Sequence, residues 1–324
     1  MDNLDRRLQL LTLLCLLTVA LLFYTSCRYK AVDIFMPTIC PRAQSTEKNC
    51  GWLTAVMLGR LGSQVHIYAS LRGIAAANNK TAFIPSGGSE SLRETFSALS
   101  IPVIEWNFEK FPFAQHRPAG YSIFSPALLQ LPCNQNVIIT MEPHSYKYSR
   151  NVLTELRKEL VFRSEILHPC KQVIEQARRG KEDCELIGAH MRRGDFSNPD
   201  KLQFGHQPAR DTLISDGIRF FTNRFSKQSK CLLFLILGND HKWNEAHAPL
   251  QPNVVVVEPR SAAIDFCILA HCNHSIVSTG TYGIMSALLA NGITVYQKQQ
   301  TRPNSTLAAL TRTEDLIPDS WIAI

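Results

Sequence analysis

The sequence predicts an α/β protein with parallel sheets in two lobes, and three observations support that class. Short apolar runs alternate with amphipathic helical patterns through the second half of the chain, which is the order of parallel strands joined by helices. The first half opens with a strand-loop-helix-strand unit. The 324 residues are 45% hydrophobic, so the chain can bury a large core and is not expected to be disordered.

The opening unit covers residues 52–85. Residues 53–58 form a strand-like apolar run, and the glycine-containing loop 59–62 follows it. The next apolar residues fall at helical spacing; they are Ile67, Leu71, Ile74 and Ala75. Residues 81–84 are the second strand. Glycines in such a loop let the backbone approach a ligand at the helix N-terminus.

The middle of the chain is less regular. Residues 86–135 contain many Pro, Gly and Ser residues and few clean patterns. Long irregular segments in compact domains are usually binding loops or disordered, so we predict part of a substrate site there. A helix is predicted to open at Ser145, with Leu153, Leu156 and Leu160 as its apolar stripe.

The second half alternates strand and helix, as a parallel sheet requires. Strands are predicted at residues 186–191, 231–237, 254–257, 275–278 and 294–296, the last being the final strand. Helices are predicted at residues 214–225, 264–269 and 281–289. No internal sequence repeat accompanies this alternation.

Two adjacent arginines, Arg192 and Arg193, follow the predicted strand 186–191 directly. This places two guanidinium groups at the carboxyl end of a sheet, where open α/β folds bind ligands. Guanidinium groups suit bidentate contact with phosphate oxygens. A lone Arg-Arg pair is usually a solvated surface feature, but His190, Gly194 and Asp195 accompany this one.

The stretch His-Met-Arg-Arg-Gly-Asp at residues 190–195 resembles the His-x-Arg-Arg-Gly-Asp motif of inverting fucosyltransferases that use GDP-fucose. Residues 59–64, 234–240 and 272–283 resemble, in the same order, segments of the galactoside 2-alpha-L-fucosyltransferases of glycosyltransferase family 11. The resemblance covers roughly residues 51–324. It implies a GT-B-like fold, in which two Rossmann-like lobes face each other across a cleft.

The implied reaction moves L-fucose from GDP-β-L-fucose to the 2-hydroxyl of a galactose on the glycan of a glycoprotein or glycolipid. Its catalytic candidates are Arg193, Arg192, Asp195 and His190. Arg193 is the first choice to meet the diphosphate charge and Arg192 assists. Asp195 is expected to order the arginine loop, and His190 to be a core histidine rather than a base. The sequence identifies no general base.

The donor-binding candidates lie in the loops that the resemblance marks. They are Gly59, Arg60, Gly62, Ser63, Asn239, Asp240, Asp265, Thr281, Tyr282 and Gly283. Thr281 and Tyr282 are expected to offer backbone amides and a hydroxyl to phosphate or ribose. Asn239, Asp240 and Asp265 are candidates for guanine or ribose contacts. The chain has no Asp-x-Asp metal motif, so we expect no metal or other cofactor besides the GDP-fucose donor.

The chain departs from the family pattern at three positions. Ser63 stands where Asn is usual, Tyr282 where Phe is usual, and Gly238 where Ser is usual. Ser63 offers a shorter hydroxyl in place of an amide, which affects donor or acceptor positioning. These departures leave open a catalytically silent relative that binds glycan or nucleotide. An α-1,6- or protein O-fucosyltransferase-like enzyme also stays open, because such enzymes share the Arg-Arg-Gly-Asp stretch.

An N-terminal membrane anchor is predicted at residues 8–24, which carry no charge. Spanning a bilayer takes about 17 to 25 apolar residues, and the sequence at 21–24 makes a poor signal-peptide cleavage site. The resemblance adds a Golgi membrane location, single-pass type II, with the catalytic region in the lumen. The predicted organisation is a cytoplasmic tail at 1–7, the anchor at 8–24, a luminal stem at 25–50, an acceptor-side lobe at 51–165 and a GDP-fucose-binding lobe at 166–324.

The distribution of charge argues against a nucleic-acid-binding protein. The net charge is +7, but no basic block interleaved with aromatic residues suggests nucleic-acid binding.

The cysteines argue for disulfides rather than for a zinc site. The chain has ten cysteines; one, Cys15, lies in the anchor, and some of the rest should pair in an oxidising lumen. Spacing does not give the pairs. Cys267 and Cys272 lack the C-x-x-C spacing of a zinc site, so thiols or a disulfide are favoured.

Sequons for N-glycosylation begin at Asn79, Asn273 and Asn304. The first lies at a predicted helix-strand junction and the second beside a buried strand. Asn304 lies among polar residues near Pro303, so it is the predicted glycan site.

Overall fold

Parallel β-strands form the framework of the protein. The computed structural model describes residues 50–105, 113–228 and 230–324. Their strands are β1 Trp52–Ala55, β2 Thr81–Ala82, β3 Ile84–Pro85, β4 Val103–Ile104, β5 Ala114–His116, β6 Val137–Ile139, β7 Glu185–Met191, β8 Leu232–Gly238, β9 Val254–Val256, β10 His274–Val277, β11 Thr294–Tyr296 and β12 Ile322–Ala323.

The helices lie between these strands and after them. They are α1 Leu61–Asn78, α2 Glu90–Thr95, α3 Tyr146–Ser149, α4 Leu153–Glu159, α5 Ser164–Arg178, α6 Pro199–Phe204, α7 Leu213–Phe225, α8 His241–His247, α9 Ala262–Ala270, α10 Thr281–Ala290, α11 Thr306–Ala309 and α12 Thr313–Leu316. Short 3₁₀ turns lie at Pro126–Leu129, Arg150–Val152, Gly194–Ser197 and Ser226–Gln228.

The strands pair into two main sheets, which confirms the predicted α/β class with parallel sheets. The first has the order β2-β1-β6-β5 and the second has the order β12-β11-β10-β7-β8-β9. All of their pairings are parallel. In both sheets the carboxyl ends of the strands therefore collect at one edge, and the loops that leave this edge can share a ligand.

The second sheet is buried on both faces. Successive side chains of β8 alternate between two hydrophobic clusters, as the period of two in a strand requires. One cluster takes Leu233, Leu235 and Leu237 with residues of α9 and α10, and the other takes Leu232, Phe234 and Ile236 with residues of α7. Burial on both faces explains why β8 is a continuous apolar run and not an alternating one.

Helix α1 follows the central strand of the first sheet and is buried on nearly all sides. Its polar side chains are accommodated by specific hydrogen bonds. The Ser70 hydroxyl donates to the Pro143 carbonyl at 2.7 Å, and the Gln64 amide oxygen accepts from the Leu92 backbone N–H at 2.9 Å. The helix thus fixes the loop at Pro143 and the short helix α2.

The C-terminal segment returns to the part of the chain that forms the first sheet. Lys147 at α3 pairs with Asp315 in α12 at 2.6 Å. The other carboxylate oxygen of Asp315 accepts from the Phe124 backbone N–H at 2.8 Å, and its carbonyl accepts from the Ser145 hydroxyl at 2.6 Å. Because this buried carboxylate is fully satisfied, the contact stabilises the crossing without leaving an uncompensated charge.

Three disulfides link described segments. They join Cys50 to Cys133, Cys170 to Cys267 and Cys184 to Cys231. Cys272 is a buried free thiol. Cys267 is thus held in a disulfide, one of the two states that the sequence favoured for it, and a sulfur in a disulfide is not a thiolate ligand.

Some element boundaries differ from the prediction. The first strand ends at Ala55 rather than at residue 58, because its partner β6 ends at Ile139, which pairs with Ala55. The helix predicted from Ser145 is divided into α3, a 3₁₀ turn and α4. Strand β11 is not the final strand, since the two-residue β12 pairs beside it. A strand this short leaves no periodic pattern in the sequence.

The predicted cytoplasmic tail at 1–7, the anchor at 8–24 and all but the last residue of the stem at 25–50 lie outside the described residues. Within residues 50–105, 113–228 and 230–324, no helix combines the length and the apolar character needed to cross a bilayer.

Gly73 allows α1 to lie against the backbone of α3. A Cβ atom at this position would lie 1.7 Å from the Tyr148 carbonyl oxygen. Alanine is normally favoured over glycine inside a helix by about 1 kcal/mol, but here a methyl group has no room.

We therefore expect Gly73→Ala to lower the free energy of unfolding by about 1–3 kcal/mol, the usual cost of overpacking. Gly87→Ala is the control, because a Cβ there meets nothing within 4 Å and should change stability by less than about 1 kcal/mol. Urea denaturation of the purified variants measures both. Equal or greater stability of the Gly73 variant would contradict the close packing of α1 on α3.

Candidate active site

A cavity of about 630 Å³ opens at the carboxyl ends of both main sheets. Its volume lies in the range of about 300–1,000 Å³ that is usual for small-molecule sites. Loops following five strands line it. They contribute Gly59–Ser63 after β1, Glu142 and His144 after β6, Arg192 and Asp195 after β7, Asn239 after β8 and Thr279–Tyr282 after β10.

The two adjacent arginines point in different directions. Arg192 lines the cavity; its side chain is 15% exposed, and its guanidinium lies over the Phe196 ring at 4.9 Å. Arg193 donates to the Ala209 carbonyl at 2.7 Å and stacks on Trp243 at 4.7 Å. Successive side chains diverge because β7 ends at Met191 and the chain turns into a 3₁₀ helix.

From the sequence we predicted Arg193 as the first choice to meet the diphosphate charge, with Arg192 assisting; in the structure Arg192 lines the cavity and Arg193 is not among the lining residues. Arg193 also pairs with Asp211 at 3.3 Å. These contacts hold Arg193 on the outer side of the loop. Of the two adjacent arginines, Arg192 is therefore the one available to an anion in the cavity.

Asp195 holds the arginine loop together, which is the part the sequence predicted for it. One carboxylate oxygen accepts from both Arg60 and Arg192 at 2.6 Å, and the other accepts from the Asn239 amide at 2.8 Å. Burial disfavours the ionised carboxylate, but Arg192 and Arg60 outweigh it and hold the pKa of Asp195 below its usual value. Asp195 is therefore an acceptor already in use.

Arg60 reaches this carboxylate from the loop after β1, so it joins loops of the two sheets across the cavity. Its side chain is 74% exposed. Burial lowers the pKa of Arg192 against the opposing effect of Asp195, yet an arginine keeps its charge at any working pH. Two guanidinium groups share one carboxylate, so this part of the cavity carries one uncompensated positive charge.

Helices α1 and α10 begin side by side at the cavity. A Cβ at Gly62 would lie 2.4 Å from the Tyr282 Cα, so glycine permits this approach. The Ser63 and Thr281 hydroxyl oxygens are 3.2 Å apart. Neither helix has an acidic residue in its first turn. Both positive helix ends thus face the cavity uncompensated, an arrangement that favours anions.

His190 is buried at the cavity wall and is neutral. Burial, with a smaller effect of Arg192, lowers its pKa to about 3. Its ring lies 4.9 Å from that of Tyr282, and Gly283 leaves room for it, since a Cβ there would be 2.7 Å from its Nδ1. This placement agrees with the expected core histidine.

Asp265 and Asp240 were both predicted to contact the nucleoside, and the structure separates them. Asp265 lines the cavity, and one of its carboxylate oxygens is buried without a hydrogen bond. Burial raises its pKa to about 6. Asp240 instead caps α8, where its carboxylate accepts from the Trp243 backbone N–H at 3.1 Å. Asn239 stabilises the loop after β7, because its amide oxygen accepts from the Arg193 backbone N–H at 2.9 Å.

Several cavity residues were missed at the sequence level. They are Tyr121, Ser122, Glu142, His144, Phe196, Lys201, Phe204, His206 and Arg260. Glu142 and His144 follow β6 as Arg192 follows β7, so recognising residues 137–139 as a strand would have identified them. The others come from segments without a pattern. Asn304, the predicted glycan site, is exposed and lies in a turn with a φ of 57°.

Comparison with known proteins identifies the family of this chain. The family model described as "Glycosyl transferase family 11" matches residues 19–324. Galactoside alpha-(1,2)-fucosyltransferase 2 of Pongo pygmaeus is 25% identical over 96% of this chain and 93% of its own length. The Rattus norvegicus enzyme of that name is 26% identical over 85% of this chain and 77% of its own.

A solved structure of NodZ alpha-1,6-fucosyltransferase co-crystallised with GDP is 16% identical, with a TM-score of 0.48 over 78% of this chain and 97% of that one. The family model extends over nearly all of the sequence. The chain belongs to glycosyltransferase family 11.

Proposed function

We propose that this protein is an inverting α-1,2-fucosyltransferase that moves L-fucose from GDP-β-L-fucose to the 2-hydroxyl of a galactose on a glycan. The observation that carries the proposal is the pair of guanidinium groups, Arg192 and Arg60, that meet on one carboxylate beside two helix N-termini. Membership of the family and its relatives named as galactoside fucosyltransferases support the donor and the acceptor.

The reaction breaks the bond between fucose C1 and the diphosphate, and negative charge grows on the departing GDP. Preorganised cations at the place where charge develops are usually the largest catalytic contribution. Arg192 stabilises this charge from within the cavity. Arg60, Thr281 and the backbone N–H groups at the start of α10 surround the remaining phosphate oxygens. Arg193 holds the loop after β7 from the side that faces away from the cavity.

The nucleoside lies toward Asp265. One carboxylate oxygen of Asp265 has no hydrogen bond to the described residues. This oxygen is suited to the N1 and N2 donors of guanine, which adenine lacks in that arrangement. Asn239, Gly59 and Ser63 stay near the donor as neighbours of the phosphate loop. A divalent cation is not required in this scheme, because arginine supplies the positive charge.

The lobe at 166–324 binds GDP-fucose and the lobe at 51–165 binds the acceptor. The enzyme is a single-pass type II protein of the Golgi membrane, anchored by residues 8–24 with its catalytic region in the lumen. Three disulfides suit such an oxidising compartment. Asn304 carries a glycan, which its exposure allows.

The proposal is tested by incubating the full-length protein with labelled GDP-fucose and a panel of acceptors, with and without EDTA. We expect label at the 2-hydroxyl of terminal galactose and an unchanged rate with EDTA. Transfer only to chitobiose or to serine and threonine would favour the α-1,6 or protein O-fucosyltransferase alternative. Binding of GDP-fucose without any transfer would identify a silent relative.

Replacement of the two arginines separates their functions. Arg192→Lys should lower the transfer rate by about 10²- to 10³-fold, because a point charge cannot replace the planar fork at the growing phosphate charge. Arg193→Lys should cost less than about tenfold, since its contacts are a carbonyl, a ring and an exposed aspartate. Initial rates at saturating acceptor measure both. A more severe loss in the Arg193 variant would restore the original ranking and reject Arg192 as the phosphate ligand.

The ionisation of Asp265 should control donor affinity. Its pKa of about 6 means that the carboxylate is charged above pH 6 and protonated below it. The affinity for GDP-fucose should therefore fall as the pH decreases through 6, by about tenfold for each unit below it.

Asp265→Asn should remove this pH dependence and weaken the preference for GDP-fucose over its inosine analogue, which lacks the N2 amino group. Titration calorimetry between pH 5 and 8 measures the affinity, and GDP-fucose is the ligand because it has no terminal phosphate to titrate. Asp183→Asn, at an exposed position before β7, is the control. An unaltered pH dependence in the Asp265 variant would exclude the contact with guanine.

A further inference from the structure

The proposed reaction requires a proton acceptor. As the galactose oxygen attacks fucose C1, its hydroxyl becomes acidic and its proton must leave. Several groups at the cavity wall can accept a proton in principle; they are Glu142, His144, His190, Asp195, His206 and Asp265. Their contacts distinguish them.

Glu142 is the cavity carboxylate whose oxygens have no partner in the part of the chain that the structure describes. It is half-buried and lines the cavity directly after β6. Among residues 50–105, 113–228 and 230–324, its side chain has no ion pair and no hydrogen bond. A half-buried carboxylate without a partner loses hydration and gains nothing from the protein. A substrate hydroxyl is the natural group to satisfy it.

The other two carboxylates that line the cavity, Asp195 and Asp265, have other partners. Asp195 already accepts hydrogen bonds from Arg60, Arg192 and Asn239. A proton on it would release two arginines from their shared partner. Asp265 lies on α9, beside the second sheet, where we assign it to the guanine.

The histidines would become charged on accepting a proton. His144 and His190 are buried, which lowers the pKa of the first to about 4 and of the second to about 3. His206, with an aromatic ring on either side, lies 4.1 Å from Phe196 and 5.7 Å from Phe204 between ring centroids. Burial lowers the pKa of His206 as well. Because burial disfavours the imidazolium form, none of the three histidines is suited to hold the proton of the acceptor hydroxyl.

The location of Glu142 also suits inversion at C1. The acceptor oxygen must approach C1 from the face opposite the departing diphosphate. Arg192 belongs to the carboxyl edge of the second sheet, and Glu142 to that of the first. The cavity lies between these edges, which meet where Arg60 contacts Asp195.

The backbone around Glu142 is held firmly. The His144 N–H donates to the Glu142 carbonyl at 2.9 Å, and the Pro143 carbonyl accepts from the Ser70 hydroxyl of α1 at 2.7 Å. The His144 ring lies 5.1 Å from that of His66, also in α1. These contacts fix the backbone from which the Glu142 side chain extends, as a catalytic site requires.

We propose that Glu142 is the general base of the transfer, a step that rests on the fucosyltransferase activity proposed above. The Glu142 carboxylate takes the proton of the galactose 2-hydroxyl while the oxygen forms its bond to fucose C1. The bond from C1 to the diphosphate oxygen breaks, and GDP leaves with the electron pair. The proton then passes from Glu142 to solvent.

The test compares Glu142→Gln with the unmodified enzyme in two reactions. The first is fucose transfer to a galactoside, which should fall by about 10²- to 10⁴-fold, the usual contribution of a general base. The second is reaction of GDP-fucose with azide, an anion that has no proton to remove. Formation of fucosyl azide should be within threefold of the unmodified enzyme, and calorimetry should give an unchanged affinity for GDP-fucose.

Glu155→Gln is the matched control, because Glu155 is an exposed carboxylate of α4 in the same half of the chain. It should leave both reactions unchanged. Glu142→Asp should recover part of the transfer rate, since the carboxylate is retained on a shorter side chain.

The possible failures are distinct. If the unmodified enzyme transfers fucose and the Glu142→Gln variant transfers it equally fast, Glu142 is not the base. If that variant loses both the azide reaction and donor affinity, Glu142 has a structural role and the assignment is also rejected. If the unmodified enzyme unfolds cooperatively, as a folded protein does, but transfers fucose to no galactoside, the proposed function itself fails.

Discussion

The site depends on one carboxylate that serves two arginines. Asp195 accepts from Arg192 of its own loop and from Arg60 of the loop after β1, both at 2.6 Å. Hydrogen bonds between charged groups are short and roughly twice as strong as neutral ones. Without Asp195, two guanidinium groups would face each other with no counter-ion. With it, they are held in place and one positive charge remains for a ligand.

The parallel sheets place this arrangement where an anion can reach it. Strands β1, β7, β8 and β10 all end at the cavity, so each adds one loop, and α1 and α10 begin there. The small size of Gly62 lets these two helices start side by side. Backbone dipoles, a shared guanidinium pair and a low-polarity wall formed by Phe196 and Tyr282 then act on the same small volume. Such preorganised charges need little rearrangement when a leaving group becomes negative.

The cavity combines positive charge from both sheets with one carboxylate of the first. The second sheet brings Arg192 and the start of α10, and the first brings Arg60, the start of α1 and Glu142. A transfer reaction needs both kinds of group, since one substrate releases a negative group and the other releases a proton.

The contact of Lys147 with Asp315 joins the C-terminal segment to the first part of the chain. Leu307, Thr311 and Leu316 of that segment line the cavity.

Much of the fold could be predicted from the amino-acid sequence. The apolar run of β8, the helical stripe of α7 and the turn at Gly59 follow from local periodicity and glycine chemistry, which need no knowledge of distant contacts. Local periodicity also predicted the strand end that is followed by Arg192, Arg193 and Asp195. Family membership rests on four such segments, and the family model agrees with it.

What the residues alone left open were the contacts between distant segments. Which of two adjacent arginines faces the cavity depends on how the chain turns after Met191 and on where Trp243 and Ala209 lie. The cysteine pairs, the pairing of Arg60 with Asp195 and the isolation of Glu142 likewise depend on residues tens to hundreds of positions away. Periodicity reports which face of an element is buried. It carries no information on what that face meets, because the partner is chosen by packing of the whole chain.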